Sequence, residues 1–409
     1  MRFRRELSPP SSRRARSASP IGRSIKRFRA INKMFRRHLL LARTGWLVQQ
    51  PLISLTNTTP SAPSTVASQH SIDGAATPPR LRRGIRALLI AILAAVVCPG
   101  CGDRKSAADD QGPARVQLQL NWKPEPQFGG FFAAELAGIY RRHGLDVTIS
   151  AGGLGVPTVE MIGAGTVPFA IVSADEIVRA RSVGNPVVAL FAVYQTNPHG
   201  IMTRASRGFQ TLADVFTHKG TLGIERGLPH ADFLQKKYGF QNLKLMPSPF
   251  GDLTFYRTDE NYSMQCFITS EPLAAKKTGI EPRTFLIADA GFNPYATVLA
   301  TSETYLKTHP AIVRSMIDAA REGWQTYLRD SAAANEHMQQ LNPTMDKETF
   351  QESAEAQKPL IETEETRRLG LGAMTLERWQ TLVDQLVDLK TINKPIDPQQ
   401  SFFQPSSLK

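Results

Sequence analysis

Between Val116 and Ser150 apolar and polar positions alternate in two different registers. Val116, Leu118 and Leu120 interleave with Gln117 and Gln119, the period of two that predicts a strand. Asn121-Trp122 follows, then a loop carrying Pro124, Pro126 and Gly129-Gly130. Phe128, Phe131, Phe132, Leu136, Ile139 and Tyr140 recur at helical spacing until Gly144 stops the pattern. Leu145 to Ser150 predicts the next strand. The stretch therefore reads as a β-α-β unit with a large aromatic at the carboxyl end of its first strand. Open α/β sheets bind ligands at that position.

The alternation continues down the chain. Val167 to Val172 predicts a buried strand, and Ser173-Ala174-Asp175-Glu176 follows it with the spacing of a helix capping box. Val187 to Val193 is another buried strand, running into Tyr194-Gln195-Thr196-Asn197-Pro198-His199-Gly200. Further short strands are predicted at Thr221 to Ile224, Leu243 to Met246, Met264 to Ile268 and Thr284 to Ile287. Helical stretches separate them, one opened by Thr269-Ser270-Glu271-Pro272. Two long apolar stripes, Ile312 to Leu328 and Leu376 to Leu389, predict core-facing helices near the C-terminus. The fold class expected is α/β, with mostly parallel sheets flanked by helices and a C-terminal helical section.

Charge changes the picture only after it is located. The chain of 409 residues carries a net charge of +13. Residues 1–100, however, hold 18 lysines and arginines against two acids, leaving 31 basic and 34 acidic residues beyond them. The basic balance belongs to the leading segment, so nucleic acid is not an expected partner. Residues 1–80, rich in Arg, Ser, Thr and Pro, read either as a disordered leader or as a segment ahead of the true start. Residues 81–101 read as a secretory signal. Arginines precede the apolar run Ala87 to Cys98, which is shorter than the ~20 residues a membrane span needs. Cys101 after this run resembles a lipoprotein processing site, with Cys98 and Pro99 departing from the usual pattern. Lipidation at Cys101, or ordinary secretion, is expected, then a polar tether over 102–114. Both place the protein outside the cytoplasm. Cys266, in a strand-like run, is expected to be a buried free thiol.

Candidate chemistry gathers at strand-to-helix junctions. Trp122, Phe128, Phe250 and Tyr295 are flat aromatics suited to stacking on a heteroaromatic ring. Asp175, Glu176 and Glu271 would accept hydrogen bonds from exocyclic amino groups or a protonated ring nitrogen. For Ser173 and Glu176 a capping role competes with a ligand role, and for Glu271 a helix-dipole role does. Asn121 and Asn197 can donate and accept at a ring edge. His199 reads as a loop histidine. The glycine-rich loop Gly152 to Thr158 either offers amide N–H groups to a ligand or is a turn. Lys123 and Arg226 are the only basic residues in these loops, which disfavours a sulfonate pocket.

LQLNWKPEPQFGGFFAAELAGIYRRHGLDVTI, the glycine-rich loop, GAGTVPFAIVSADEIVRARSVGNPVVALFAVYQTNPHGI and SEPLAAKKTG together resemble the thiamine-pyrimidine-precursor family of periplasmic binding proteins. These are the capture subunits of ABC importers, and the resemblance spans roughly Val116 to Leu389. It implies a two-lobed binding protein of type II with its ligand at the hinge. Residues 115–203 and 299–392 would form lobe 1, 204–298 lobe 2, and 393–409 a polar tail. It also implies a small heteroaromatic ligand, a thiamine-precursor aminopyrimidine or similar, and a membrane permease as partner. No cofactor, metal or catalysis is implied. Relatives in the wider group capture sulfonates or riboflavin. The same superfamily includes a pyridoxal-phosphate-dependent pyrimidine synthase. That enzyme carries a cofactor lysine and a histidine after the strand that corresponds to Phe169 to Val172. Here Ser173-Ala174-Asp175-Glu176 stands in that place, and the synthase's cysteine-rich motif is missing.

Overall fold

The computed structural model describes residues 112–403. The leader, the signal segment, Cys101, most of the tether and the end of the tail lie outside the described residues. Among the described residues there are ten strands: β1 (Ala114–Gln119), β2 (Leu145–Ser150), β3 (Phe169–Val172), β4 (Val187–Tyr194), β5 (His199–Arg204), β6 (Gly220–Gly223), β7 (Leu243–Met246), β8 (Tyr262–Phe267), β9 (Pro282–Leu286) and β10 (Ala296–Ser302). They make two five-stranded sheets, ordered β2-β1-β3-β10-β4 and β7-β6-β8-β5-β9.

The parallel pairing expected from the β-α-β rhythm holds for β2-β1-β3 and for β7-β6-β8. One strand in each sheet runs the other way: β10 against β3 and β4, and β5 against β8 and β9. The reason is the route of the chain. β5 is the first strand after the chain leaves the first sheet, and β10 the first after it returns. Each starts at the side where its neighbours end. The first residues of these two strands, His199 and Ala296, therefore lie beside the carboxyl ends of the others.

The passages between sheets fall at 195–198 and 287–295, several residues earlier than the breaks expected after Thr203 and before Leu299. Asn197-Pro198 marks a turn before β5 but not a change of sheet, so only the pairing of β5 reveals the change. Side chains tie the two passages together. Asn293 Oδ1 accepts the Asn197 N–H at 2.8 Å, and Asn197 Nδ2 donates to the Pro294 carbonyl at 3.0 Å. From the helix Leu376–Asp388, Arg378 Nη2 donates to the carbonyls of Gln195 at 2.7 Å and Asn293 at 2.9 Å.

The C-terminal stripes are core, as their spacing predicts. In the helix Pro310–Arg329, Val313, Met316, Ala320, Trp324 and Tyr327 are buried, and Trp379, Leu382, Val383 and Leu386 are buried on Leu376–Asp388. Gly129 and Gly130, expected in a loop, begin the helix Gly129–Leu136 instead. A Cβ on Gly129 would stand 2.1 Å from the Tyr327 ring, and one on Gly130 2.3 Å from the Trp324 indole. Gly323 answers them, since its own Cβ would meet the Gly130 carbonyl at 2.3 Å. Glycine is required here by the close approach of two helices. Gly130→Ala should therefore lower the unfolding free energy by about 1–3 kcal/mol, read from urea titration.

The expected polar tail is docked through Phe403. Phe402 stacks on Trp379 with centroids 5.8 Å apart, and the Phe403 N–H donates to the Ala189 carbonyl at 2.8 Å. Two phenylalanines that can be buried outweigh the polarity around them. Cys266 is a buried free thiol, as expected. Among the described residues no helix is long and apolar enough to cross a membrane.

Candidate functional site

The strand ends from both sheets converge on one cavity of about 420 Å³. From the first sheet come Asn121 and Trp122 after β1, the loop Gly153 to Val156 after β2, and Ser173, Asp175 and Glu176 after β3. From the second come Glu225, Phe250, Gln265, Cys266, Phe267 and Glu271. Asn197 lines it from the passage between sheets, His199 from the start of β5 and His230 from the helix Pro229–Tyr238. The size lies within the range that buries most of a small organic ligand.

Aromatic faces are contributed from both sides. Trp122 and Phe250 sit with ring centroids 6.4 Å apart and planes inclined by 33°. Phe250, 43% exposed, is held at a φ of 47°, ahead of Gly251 at 88°. The Trp122 indole is fixed from below, its Nε1–H donating to Glu125 Oε1 at 3.2 Å. Phe128 and Tyr295 do not join them, contrary to expectation. Phe128 is fully buried in the core shared with Trp324 and Tyr327. Tyr295 is 2% exposed, accepts the Thr375 N–H at its hydroxyl, 3.0 Å away, and carries the Arg378 guanidinium 3.8 Å above its ring. A strand-end aromatic points into the cleft or into the core according to what packs beside it, and spacing cannot tell which.

The polar residues divide by what already occupies them. Glu176 Oε2 accepts the Ser173 N–H at 2.8 Å and its Oγ–H at 3.0 Å, so the capping box is real, although both residues line the cavity. Glu271 Oε2 accepts the Phe267 N–H at 2.8 Å. Asn197 is spent on the passage between sheets, leaving a structural part rather than a free ring-edge contact. Asn121 and Asp175 make no side-chain hydrogen bond among the described residues. Gly152 explains its loop: a Cβ there would stand 2.2 Å from the Leu120 carbonyl. Thr297 also lines the cavity, held at a φ of 50° where β10 begins, a strained conformation for a β-branched residue.

The electrostatics are one-sided. Glu125, Asp175, Glu176, Glu225 and Glu271 all line the cavity, with no lysine or arginine among its lining residues. Lys123 and Arg226, noted from the sequence, are exposed and outside it. Burial, and then the Glu271 carboxylate, pushes the Glu125 carboxyl up to about 8. Burial also raises Glu271, Glu225 and Glu176, the last with help from Asp175. Burial lowers His199 to about 3, the neighbouring His230 adding to the effect, and lowers His230 as well. At neutral pH the cavity thus offers neutral imidazoles and at least one protonated carboxyl. Its groups suit a ligand rich in N–H or O–H donors, or a cation.

Sequence reading missed Glu125, Glu225, His230 and Gln265 as members of the site. His230 and Glu225 follow strand ends, the position that pointed to Glu271, and could have been found by the same rule. Glu125 between two prolines and Gln265 inside a strand carry no such signal.

These walls lie within a recognisable family. Residues 125–334, just over half of the chain, match the NMT1/THI5 like family. The chain belongs to that family. Among its relatives, riboflavin-binding protein RibY of Chloroflexus aurantiacus is 23% identical over 359 residues, covering 78% of this chain and 96% of that protein. The formylaminopyrimidine-binding protein of Halalkalibacterium halodurans is 23% identical over 329 residues, covering 78% and 97%. A shorter match, 26% over 102 residues, is to 4-amino-5-hydroxymethyl-2-methylpyrimidine phosphate synthase of Legionella pneumophila, covering 25% of this chain and 32% of that one. The fold is that of periplasmic binding proteins. The crystal structure of the aliphatic sulphonate binding protein SsuA from Escherichia coli superposes with a TM-score of 0.55 at 12% identity, covering 73% of this chain and 94% of that one.

Proposed function

We propose that this chain is the extracytoplasmic solute-binding component of an ABC importer. It captures a small heteroaromatic ligand, an aminopyrimidine of the thiamine-precursor type, and delivers it to a membrane permease. The observation that carries this reading is the cavity: an aromatic from each sheet, five carboxyl groups, and no lysine or arginine among the lining residues. A sulfonate would find no lysine or arginine there to neutralise it and would face the charge of the surrounding carboxylates. A carboxyl that can hold a proton pairs with an aminopyrimidine in two hydrogen bonds. Its O–H donates to a ring nitrogen while its other oxygen accepts from the amino group.

In this reading the two sheets are the cores of two lobes, the first formed by about 112–194 and 296–403 and the second by about 199–286. The passages at 195–198 and 287–295 are the hinge, and closure brings Trp122 and Phe250 onto opposite faces of the ring. Lipidation at Cys101 belongs to the same proposal. Residue types do not favour the pyrimidine synthase: no lysine lines the cavity to hold pyridoxal phosphate, and Ser173 follows β3. A flavin is the second reading, supported by similarity to 96% of the length of RibY and by a cavity larger than a single ring fills.

Thermal unfolding of the full chain with aminopyrimidine thiamine precursors, thiamine, riboflavin, taurine and pyridoxal phosphate tests the proposal. A ligand at a hundred times its Kd adds about 2.7 kcal/mol and raises Tm by several degrees. Stabilisation by an aminopyrimidine is expected. Stabilisation by taurine alone, or a new absorbance band with pyridoxal phosphate, would sink it.

A further inference from the structure

His199 and His230 are not used by the ring-binding reading, yet both line the cavity. Their imidazoles stack with centroids 4.9 Å apart and planes within 18°, and Phe267 meets the His199 ring edge-on at 4.6 Å. His230 is 7% exposed. Backbone groups determine which nitrogen of each ring carries its proton. Asn197 Nδ2 donates to the Pro294 carbonyl at 3.0 Å, and Asn197 Oδ1 accepts the His199 N–H at 3.0 Å, so this amide has one possible orientation. Oδ1 is then what His199 Nδ1 meets at 2.9 Å, and Nδ1 must donate. Gln265 Oε1 accepts the Glu225 N–H at 3.1 Å, which makes it an acceptor for His230 Nε2 at 2.9 Å. Burial keeps both rings neutral. His199 Nε2 and His230 Nδ1 are thus bare lone pairs, with no hydrogen-bond partner among the described residues.

We propose that His199 Nε2 and His230 Nδ1 form a second, acceptor-only subsite that takes an N–H or O–H arm projecting from the ligand's ring. The inference rests on the heteroaromatic reading above and narrows it. The ligand is a ring bearing an aminomethyl, hydroxymethyl or polyol substituent, not a bare ring. An arm ending in phosphate or carboxylate is excluded, because it would bring acceptors against two lone pairs and the Glu225 carboxyl. Neutral imidazole nitrogens accept from a hydroxyl or amino group while adding no charge of their own to the subsite. The subsite therefore selects direction of hydrogen bonding rather than charge.

Calorimetric titration of the full chain with two matched pairs tests this. One pair is 4-amino-2-methylpyrimidine carrying a 5-aminomethyl or 5-hydroxymethyl arm against its 5-methyl counterpart. The other is riboflavin against lumiflavin, which replaces the polyol by a methyl group. For whichever ring binds, the donor-bearing member is expected to bind about tenfold tighter. In His199→Phe and His230→Phe that ratio should collapse to within about twofold. Equal affinities within the pair that binds would overturn the subsite while leaving the heteroaromatic reading intact. Failure of both rings to bind would overturn that reading and the arm together. Should either variant fail to fold, the nitrogen shifts of the two imidazoles in the unliganded chain decide. Nδ1–H on His199 with Nε2–H on His230 is expected, and the opposite tautomer on either ring would overturn the assignment.

Discussion

Trp122→Ala is expected to weaken binding of the heteroaromatic ligand by about a hundredfold, to be read by calorimetry, with little change in the stability of the unliganded protein. The indole is half-buried and packs at the edge of the core, so its removal leaves no closed internal void. Its contribution comes with the ligand. Stacking of a flat ring on an aromatic side chain is worth about 1–3 kcal/mol. Trp122 also shields Glu125, to which it donates a hydrogen bond, so its loss rehydrates the carboxyl that a bound ring would use. Anchors of this kind dominate binding energies. Phe250→Ala should cost less, because that ring is more exposed and donates no hydrogen bond. The two losses should not add in the double variant, since a ring held between them needs both faces.

The sign of the pH dependence distinguishes ligand classes. Glu125, at about 8, is protonated at neutral pH. A neutral aminopyrimidine needs that proton, so its affinity should fall as pH rises past about 8. A permanently cationic probe such as thiamine needs the carboxylate, and its affinity should rise by about fiftyfold between pH 6 and 8, with release of a proton. Titrations at both pH values, repeated in buffers of different ionisation enthalpy, read the sign and the proton count. Glu125→Gln should abolish the pH dependence of both. The unliganded protein follows the same linkage. Its native state keeps a proton that the unfolded chain has lost above 4.5, so this group's contribution to stability is fully present below 4.5 and is lost as pH rises to about 8. Glu271, Glu225 and Glu176 act in the same direction. The two histidines act oppositely: both are lowered from 6.5, so they reduce stability in acid. A flat cavity response from pH 6 to 9 would count against the buried state of Glu125.

The fold class was legible because its signals are local. Strand alternation, the spacing of Phe131 and Phe132, and the stripe ending in Trp324 and Tyr327 each reflect one element facing one core. The strand-end rule brought Trp122, Asp175, Phe250 and Glu271 to the same cavity although they are far apart in the chain, because parallel strands share one ligand-facing edge. The Ser173-Glu176 capping box was legible for the same reason, all its partners lying within one helical turn.

What the sequence determined by itself is the alternation of elements, the buried stripes and the edge at which chemistry would gather, since each depends on neighbours within a few residues. Only the tertiary structure decided which way strand-end aromatics turn: Phe128 into the core against Trp324 and Tyr327, and Tyr295 under Arg378. Only it reversed β5 and so brought His199 to the cavity beside His230 and Gln265. Only it set the proton of Glu125, through burial and a carboxylate on Glu271 from the other sheet. These depend on contacts between residues distant in the chain, and no periodicity records a distance that folding alone creates.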